Sequence, residues 1–443
     1  AVKPPHALSV VPVLAARAAR LLSVPCRRCL STADRPRRAL VLNAGSSSIK
    51  YGLVDLTAAA AGSGMLCSGV VEKIGLEGSM ISHKTEDGVK KTIEGEIADH
   101  ATALTKVVDI LTSPGGLIAH VTDIDVVGHR VVHGGALLTA PTVIDDKVET
   151  MIDECVPLAP LHNPANLNGI RVARAIFPAP HVAIFDTAFH ADMPPESYTY
   201  ALPLELQTKH GVRRYGFHGT SYKYVLGKAA EELGRSPESL NAIICHLGNG
   251  ASMAAVKQGK CVDTTMGFTP LEGLVMGTRA GDVDAGVLAF LSSHLGYSSA
   301  KIDEILNKES GLLGLCGTSD FRAVTEACAA GDPAAILARK VFVERIRKYI
   351  GAYLVKLNGE TDAIIFTGGI GENDAALRAD VCAGLETFGV AVDGNKNDLG
   401  LAQVQPSFAR VKTMVVPTNE ELSIALQSAA AAGVRVGPQQ EAA

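Results

Sequence analysis

The sequence predicts an α/β protein built from two similar halves, each with a mixed sheet flanked by helices. Three observations carry this. Short apolar runs recur along the chain, each ending in glycine or a polar turn. Helical stretches with one apolar face lie between them. A Gly/Ser/Asn turn after a buried run appears twice, about half of the 443-residue chain apart. Continuous apolar runs of four or five residues read as strands buried on both faces. Strands alternating with amphipathic helices give an α/β fold.

Leu40-Val41-Leu42 leads into Asn43-Ala44-Gly45-Ser46-Ser47-Ser48, and a second run follows from Ile49 to Leu53, which is a hairpin signature. Further strands are expected at Asp125–Val127, Val182–Phe185, Ile243-Ile244, Ala363–Phe366 and Val415-Val416. Residues 338–357 carry Ala338, Val341, Phe342, Ile346, Ile350, Tyr353 and Leu354 at three- and four-residue intervals, the pattern of a helix with one buried face. Asp303 to Leu306 belongs to another helix, and Asn419-Glu420-Glu421-Leu422 opens a last one running through the alanines near 430. The echo is between Leu42–Ser48 and Leu247-Gly248-Asn249-Gly250-Ala251-Ser252.

Composition narrows the function classes. The chain is 47% hydrophobic and 20% charged, an ordinary globular mix, which excludes wholesale disorder and fibrous folds. Aromatic residues are 5% and tryptophan is absent, so stacking on single-stranded nucleic acid is not expected. The net charge of −5 argues against nucleic-acid and anionic-membrane surfaces, and no apolar run is long enough to cross a membrane. The nine cysteines are scattered, and the single CxxC, Cys26–Cys29, lacks the second pair that zinc needs. Reduced thiols in a reducing compartment are expected.

Residues 1–38 stand apart, with a net charge of +7 that leaves −12 for the remainder. Arginines interspersed with Val11, Leu14, Leu21 and Leu22 read as an organelle transit peptide. Arg17 and Arg20 interrupt the apolar core that a secretory signal would need, and Arg28-Cys29-Leu30-Ser31 resembles a mitochondrial processing site. The mitochondrial matrix is the expected location, with the chloroplast stroma second and a plain basic tail as the bland alternative.

Three turns at strand ends could cradle phosphate: Asn43–Ser48 with Lys50 beyond it, Gly248-Asn249-Gly250 with His246 at its entrance, and Gly369-Ile370-Gly371-Glu372-Asn373. Backbone N–H groups in such turns converge on an anion. One alone is more often an ordinary tight turn; three together favour a phosphate ligand. No P-loop motif occurs, and Gly369/Gly371 form only part of a dinucleotide fingerprint. Arg130 and Arg279 sit in glycine-rich contexts suited to gripping carboxylate or phosphate, the alternative for Arg279 being a salt bridge to Asp282. His218 lies between glycines near Arg213 and Arg214, and no HExxH pattern occurs. Asp186 and Glu420 are carboxylates just past strands, placed to hold Mg²⁺ through water, although Glu420 would equally serve a first helical turn.

The blocks LNAGSSSIKY (42–51), GHRVVHGG (128–135), PLAPLHNPAN (157–166), FDTAFH (185–190), RYGFHGTS (214–221), MGFTPLEGLVMGTRAG (266–281) and FTGGIGEN (366–373) together resemble the acetate kinases, a branch of the acetate and sugar kinase/Hsp70/actin superfamily. The resemblance runs from Ala39 to about Ala430. It implies two duplicated actin-like, ribonuclease H-like domains (39–186 plus 418–443, and 187–417) with a nucleotide cleft between them. The last helix would return to the first domain. It also implies reversible phosphoryl transfer from ATP to acetate, giving acetyl phosphate and ADP, with Mg²⁺ (Mn²⁺ able to substitute) and a homodimer. By the same resemblance, Asn43 and Glu420 position the metal and Lys50 is associated with ATP. Arg130 binds the acetate carboxylate and the transferring phosphoryl, Asp186 is the catalytic acid near the metal, and His218 and Arg279 stabilise the transition state. His162 is a further active-site histidine. His246, Leu247, Gly248, Asn249 and Gly250 form the phosphate turn. Asp320, Phe321 and Arg322, with Gly369, Ile370, Gly371, Glu372 and Asn373, surround the adenosine. Val132, Leu161, Phe217 and Pro270 enclose the acetate methyl.

Two positions depart from the family pattern: Ala191, where a polar residue is usual, and Tyr222, where histidine is common. Both fall outside the residues given chemistry, so a difference in packing or dimer surface is expected there. Two other readings stand beside this one. A propionate or butyrate kinase would share all the motifs. A non-catalytic ATP-binding module would keep the turns but need neither Arg130, Arg279 and His218 nor a methyl pocket, and would want an extra peptide-binding domain or a filament surface.

Overall fold

The computed structural model describes residues 35–59 and 62–437. The transit-peptide expectation for residues 1–34 therefore lies outside the described residues. The last four residues assigned to that leader belong to the folded protein. Arg35 pairs with Asp125 at 2.5 Å, Arg37 donates to the Gly437 carbonyl at 2.5 Å, and Arg38 opens the first strand. The chain divides into two compact units, one running to Phe185 and resuming at Glu420, the other Asp186–Asn419. These bounds lie one and two residues from those the resemblance implied.

The first unit holds an eight-stranded sheet. Its strands are β1 (Arg38–Ala44), β2 (Ser48–Asp55), β3 (Met65–Glu72), β4 (Met80–Thr85), β5 (Lys90–Glu94), β6 (Val126–Val131), β7 (Thr142–Val143) and β8 (His181–Phe185). Their spatial order is β5-β4-β3-β2-β1-β6-β8-β7. β1 is antiparallel to β2, with Asn43 opposite Lys50, and parallel to β6, which is parallel to β8. Central position explains the unbroken apolar run Ala39–Leu42: both faces are covered, and all four residues are buried. Helix α1 (His100–Thr112) starts at Asp99, whose carboxylate accepts from Thr102 N at 2.7 Å. It packs Leu104, Val107, Val108 and Leu111 into a core shared with Leu40, Leu42, Leu53 and Phe177. Helices α2 (Asp146–Glu154) and α3 (Asn163–Ile176) lie between β7 and β8 in the chain.

The second unit holds five strands: β9 (Ala242–Leu247), β10 (Ala251–Lys257), β11 (Lys260–Thr264), β12 (Ala363–Thr367) and β13 (Lys412–Val415). Their order is β11-β10-β9-β12-β13, with β9, β12 and β13 parallel and the β9–β10–β11 run antiparallel. Three antiparallel strands in the order third, second, first, followed by two parallel ones, occur in both sheets. This repeat is the duplicated actin-like architecture. The helices of this unit include α4 (Gly219–Glu232), α5 (Ala285–Leu295), α6 (Phe321–Ala329), α7 (Pro333–Lys356), α8 (Gly368–Asn373) and α9 (Ala375–Cys382). α7 is the helix expected over 338–357. It begins five residues earlier, where Asp332 caps it and Pro333 opens it. The last helix, α10 (Glu420–Ala431), belongs to the first unit, where it packs on β1, β6 and β8.

The α10 contact needs glycine at position 128 of β6. A Cβ there would stand 2.4 Å from Ser428 Oγ and 2.7 Å from Ile424 Cγ2. Gly128→Ala should therefore destabilise the protein by about 1–3 kcal/mol through overpacking, read as a lower urea midpoint. An unchanged midpoint would mean that α10 does not press on β6 there.

Candidate phosphoryl-transfer site

In the first unit the hairpin β1–β2 and the end of β6 are tied to α3 by two buried asparagines. Asn166 donates to the Ala44 carbonyl at 2.7 Å and accepts from Val132 N at 3.1 Å. Asn163 donates to the His133 carbonyl at 2.9 Å and accepts from His133 N at 3.2 Å. His100 Nε2 lies 2.7 Å from the Gly45 carbonyl. These bonds fix the ends of β1 and β6, so that Arg130 Nη1 reaches Asn43 Oδ1 at 3.3 Å. Lys50 is exposed opposite Asn43. His162 occupies the N-cap position of α3, with no capping bond from its side chain. Val132 is buried, whereas Leu161 is 61% exposed.

The second unit is more fully built. Asp186 directly follows β8 and is buried. Its carbonyl accepts from Gly219 N at 3.0 Å, and a Cβ on Gly219 would lie 2.2 Å from that oxygen, so only glycine permits the contact. The preceding residue, His218, adopts φ +57°, a left-handed conformation costly for a side-chain-bearing residue and concentrated at functional sites. Its ring stacks on His246 with centroids 4.3 Å apart. His218 Nδ1 lies 2.8 Å from Ser252 Oγ, and His246 Nδ1 lies 2.8 Å from Ser221 Oγ, which also bonds Thr418 Oγ1.

The loop carrying Arg279 is anchored through its backbone. Gly277 N donates to the Asn249 carbonyl at 2.9 Å, and the carbonyls of Met276, Gly277 and Thr278 accept from Leu312, Leu313 and Ser310. Arg279 Nη1 donates to the Pro270 carbonyl at 3.1 Å. Asp282, the suspected salt-bridge partner, is instead engaged by Arg345, Lys348 and Tyr349. The outcome is a shared focus at the phosphate turn: a Cβ built on Gly250 would stand 3.6 Å from His218 Nε2 and 3.7 Å from Arg279 Nη1.

In the segments expected around the adenosine, several side chains are engaged within the protein. Phe321 is buried against Phe342 (centroids 5.1 Å apart) with Arg339 over its face, so its ring is spent in the α6–α7 core. Asp320 caps α6, while the Arg322 side chain is 90% exposed. Glu372 accepts from Gly368 N at 2.9 Å and Thr418 N at 3.0 Å, so its carboxylate binds the segment together from within. Asn373 donates to the Gly369 carbonyl. The 369–373 turn is a short helix rather than an open loop. Phe217 is buried and Pro270 half-buried. Arg214 is tied to Glu272 and three carbonyls, and Arg213 lies over the Tyr198 ring.

One buried cation escaped the sequence reading. Arg378 on α9, 1% exposed, donates to the carbonyls of Gly371 and Glu372 and to both oxygens of Asn397. It braces the 369–373 segment from below. Arg378 stands mid-helix with no glycine or motif around it, so no sequence signal pointed to it.

A guanidinium, an imidazole and a glycine turn around one point form the kind of anion site that phosphoryl-transfer enzymes use. The comparisons agree with this class. The model of the acetokinase family matches residues 38–426, and the chain belongs to that family. It is 50% identical to an acetate kinase from Thermotoga maritima over 396 residues, covering 88% of this chain and 97% of that protein. It is 48% identical to one from Clostridioides difficile, covering 87% and 97%. Among solved structures, acetate kinase from Porphyromonas gingivalis superposes with TM-score 0.84 at 42% identity, covering 89% of this chain and 99% of that one. A propionate kinase from Francisella tularensis gives 0.83 at 41%, covering 88% and 99%.

His190 packs behind this site. Its Nε2 donates to the Phe217 carbonyl at 2.8 Å, and burial pulls its pKa from 6.5 down to about 4. The unfolded chain takes up this proton near pH 6.5, and the folded one resists until about 4. Stability must therefore fall as pH drops through that window, by about 3 kcal/mol from this group, and level off below it. Urea midpoints measured from about pH 7 to 4.5 should show this decline, with a shallower slope in His190→Phe. An equal slope in both proteins would assign the decline elsewhere.

Proposed function

We propose that this protein is an acetate kinase: it transfers the γ-phosphoryl of ATP reversibly to acetate, giving acetyl phosphate and ADP by direct in-line displacement. The observation that carries this is the convergence of His218 Nε2 and Arg279 Nη1 on Gly250 in a chain of the acetokinase family.

Acetate is already ionised at neutral pH, so no general base is required. The protein must align a carboxylate with the phosphoryl group and stabilise negative charge spread over three oxygens. Arg130 and Arg279 supply forked cations for this, and His218 supplies a ring N–H. The backbone amides of 248–250 bind the phosphate chain. Asn43 and Glu420 offer hard oxygen donors of the type Mg²⁺ takes, and Asp186 a third. Among the described residues no three His, Cys, Asp or Glu side chains gather into a cage. Mg²⁺ does not need one, because it commonly relies on one or two carboxylates plus phosphate oxygens and water. When bound, Mg²⁺ neutralises and orients the nucleotide phosphates. Mn²⁺ should substitute. Lys50 is assigned to ATP, and His162 is assigned to the active site as a further histidine. The segments 320–322 and 369–373 are assigned to the adenosine, chiefly through backbone and Arg322, since Phe321 and Glu372 are otherwise engaged. Val132, Phe217 and Pro270 are assigned to the methyl pocket, and the exposed Leu161 is its weakest member. We further propose a homodimer and, from the basic leader, the mitochondrial matrix as its location.

The similarity to a propionate kinase keeps a second reading open, in which the preferred acid is one carbon longer. An apolar pocket discriminates by about 1–3 kcal/mol per methylene. Propionate should therefore be a substrate roughly 10–200-fold poorer than acetate.

The deciding assay uses the chain from about Ser31 with Mg-ATP, a series of short-chain acids and hydroxylamine, which traps the acyl phosphate as hydroxamate. Acetate-dependent hydroxamate is expected, with Arg279→Ala reducing kcat by about 10³-fold or more. ATP hydrolysis without hydroxamate would overturn the kinase reading. Labelled phosphate trapped on Asp186 at a competent rate would overturn direct transfer.

A further inference from the structure

Tyr222 was set aside in the sequence as a packing variation. The structure puts its hydroxyl one hydrogen bond from Ser252 and two from His218. Tyr222 and Ser252 are both fully buried. Tyr222 OH lies 2.5 Å from Ser252 Oγ, and Ser252 Oγ lies 2.8 Å from His218 Nδ1. The phenol ring is held by three neighbours: it stacks on Phe189 at 5.7 Å and meets the rings of His190 and His246 edge-on.

The direction of this chain follows from donor accounting. A buried phenol O–H must donate, because an unmade hydrogen bond costs about 1–3 kcal/mol. Ser252 Oγ is the acceptor it faces. Burial pushes the Tyr222 hydroxyl well above its ordinary range, so it keeps its proton. Ser252, having accepted from Tyr222, has its own O–H to give, and His218 Nδ1 is at 2.8 Å. A ring whose Nδ1 accepts is, when neutral, the tautomer with its proton on Nε2. Nε2 is the atom that faces Gly250 beside Arg279.

We propose that Tyr222 and Ser252 are positioning residues that hold His218 as the Nε2–H tautomer and aim that N–H at the phosphate turn. The proposal deepens the kinase reading and rests on it for the role of His218. It gives His218 a defined job: a neutral donor to a phosphoryl oxygen, oriented before substrate arrives. The strained φ of His218 fits such preorganisation, since a ring held by its backbone and by Nδ1 loses little freedom when Nε2 engages a ligand.

The test reads the tautomer directly. ¹⁵N-histidine-labelled protein is examined by NMR near neutral pH, with the His218 signals identified by their loss in His218→Gln. The wild type should show His218 with its proton on Nε2. Ser252→Ala should release it to a mixture and lower kcat about tenfold, with KM for ATP and for acetate changed less than about threefold. Tyr222→Phe, which removes one oxygen from a ring that stays packed, should shift the tautomer in the same direction by less. This second variant serves where Ser252→Ala does not fold. A wild-type His218 protonated on Nδ1 would overturn the proposal, as would variants that keep both the wild-type tautomer and its kcat. If the wild type shows the Nε2–H tautomer but makes no acyl hydroxamate with any acid tested, the relay stands and the kinase reading falls.

Discussion

The second unit depends on backbone approaching backbone more closely than any side chain allows. Gly219 brings the start of α4 against the Asp186 carbonyl, where an added Cβ would lie 2.2 Å from the oxygen, and Gly277 N ties the arginine loop to the Asn249 carbonyl at 2.9 Å. The first contact fixes where His218 leaves its strained turn. The second fixes where Arg279 leaves its loop. Neither functional side chain is placed by its own preferences; each stands on a junction whose geometry is set by main-chain hydrogen bonds. A catalytic donor helps only if it already points where charge develops, so reorganisation avoided here is barrier removed later.

The first unit solves a similar problem differently. Its strand ends are tied by side-chain amides, Asn163 and Asn166, each of which both donates and accepts. A single amide can satisfy an N–H on one segment and a carbonyl on another, so it fixes a spacing rather than one bond. The NPAN sequence thus places both asparagines on one face of the first turn of α3, three residues apart. The block was legible as a motif, and the physical work of its two asparagines is to hold the ends of β1 and β6.

Legibility in the sequence followed burial. The strands with unbroken apolar runs, such as β1, β8, β9 and β12, were readable because both faces are covered, and α7 because one face is. The strands β3, β4, β5, β7 and β11 were missed. β5 reads Lys-Lys-Thr-Ile-Glu and is exposed throughout, so it carries neither an apolar run nor an alternation. At the site, residue identities came through the motif blocks, but side-chain directions did not. Phe321 and Glu372 belong to matched segments yet turn inward, because direction depends on what packs behind a segment. Ser252 and Tyr222 lie 34 and 4 residues from His218 in the sequence, and only the pairing of β10 with β9 and the placement of α4 bring all three together.

Cation allocation sharpens the same point. Arg213, Arg214, Arg345 and Arg378 all belong to the second unit, and a count of arginines would rank them with Arg279. Their partners separate them. Arg214 answers Glu272, Arg345 answers Asp282 with help from Lys348 and Tyr349, Arg378 answers carbonyls, and Arg213 lies on a tyrosine ring. Asp282 is the acid closest in sequence to Arg279, and its charge is met by other groups. Arg279 directs Nη1 toward Gly250 and the Pro270 carbonyl, and the acid nearest to it in the sequence is held by three other side chains.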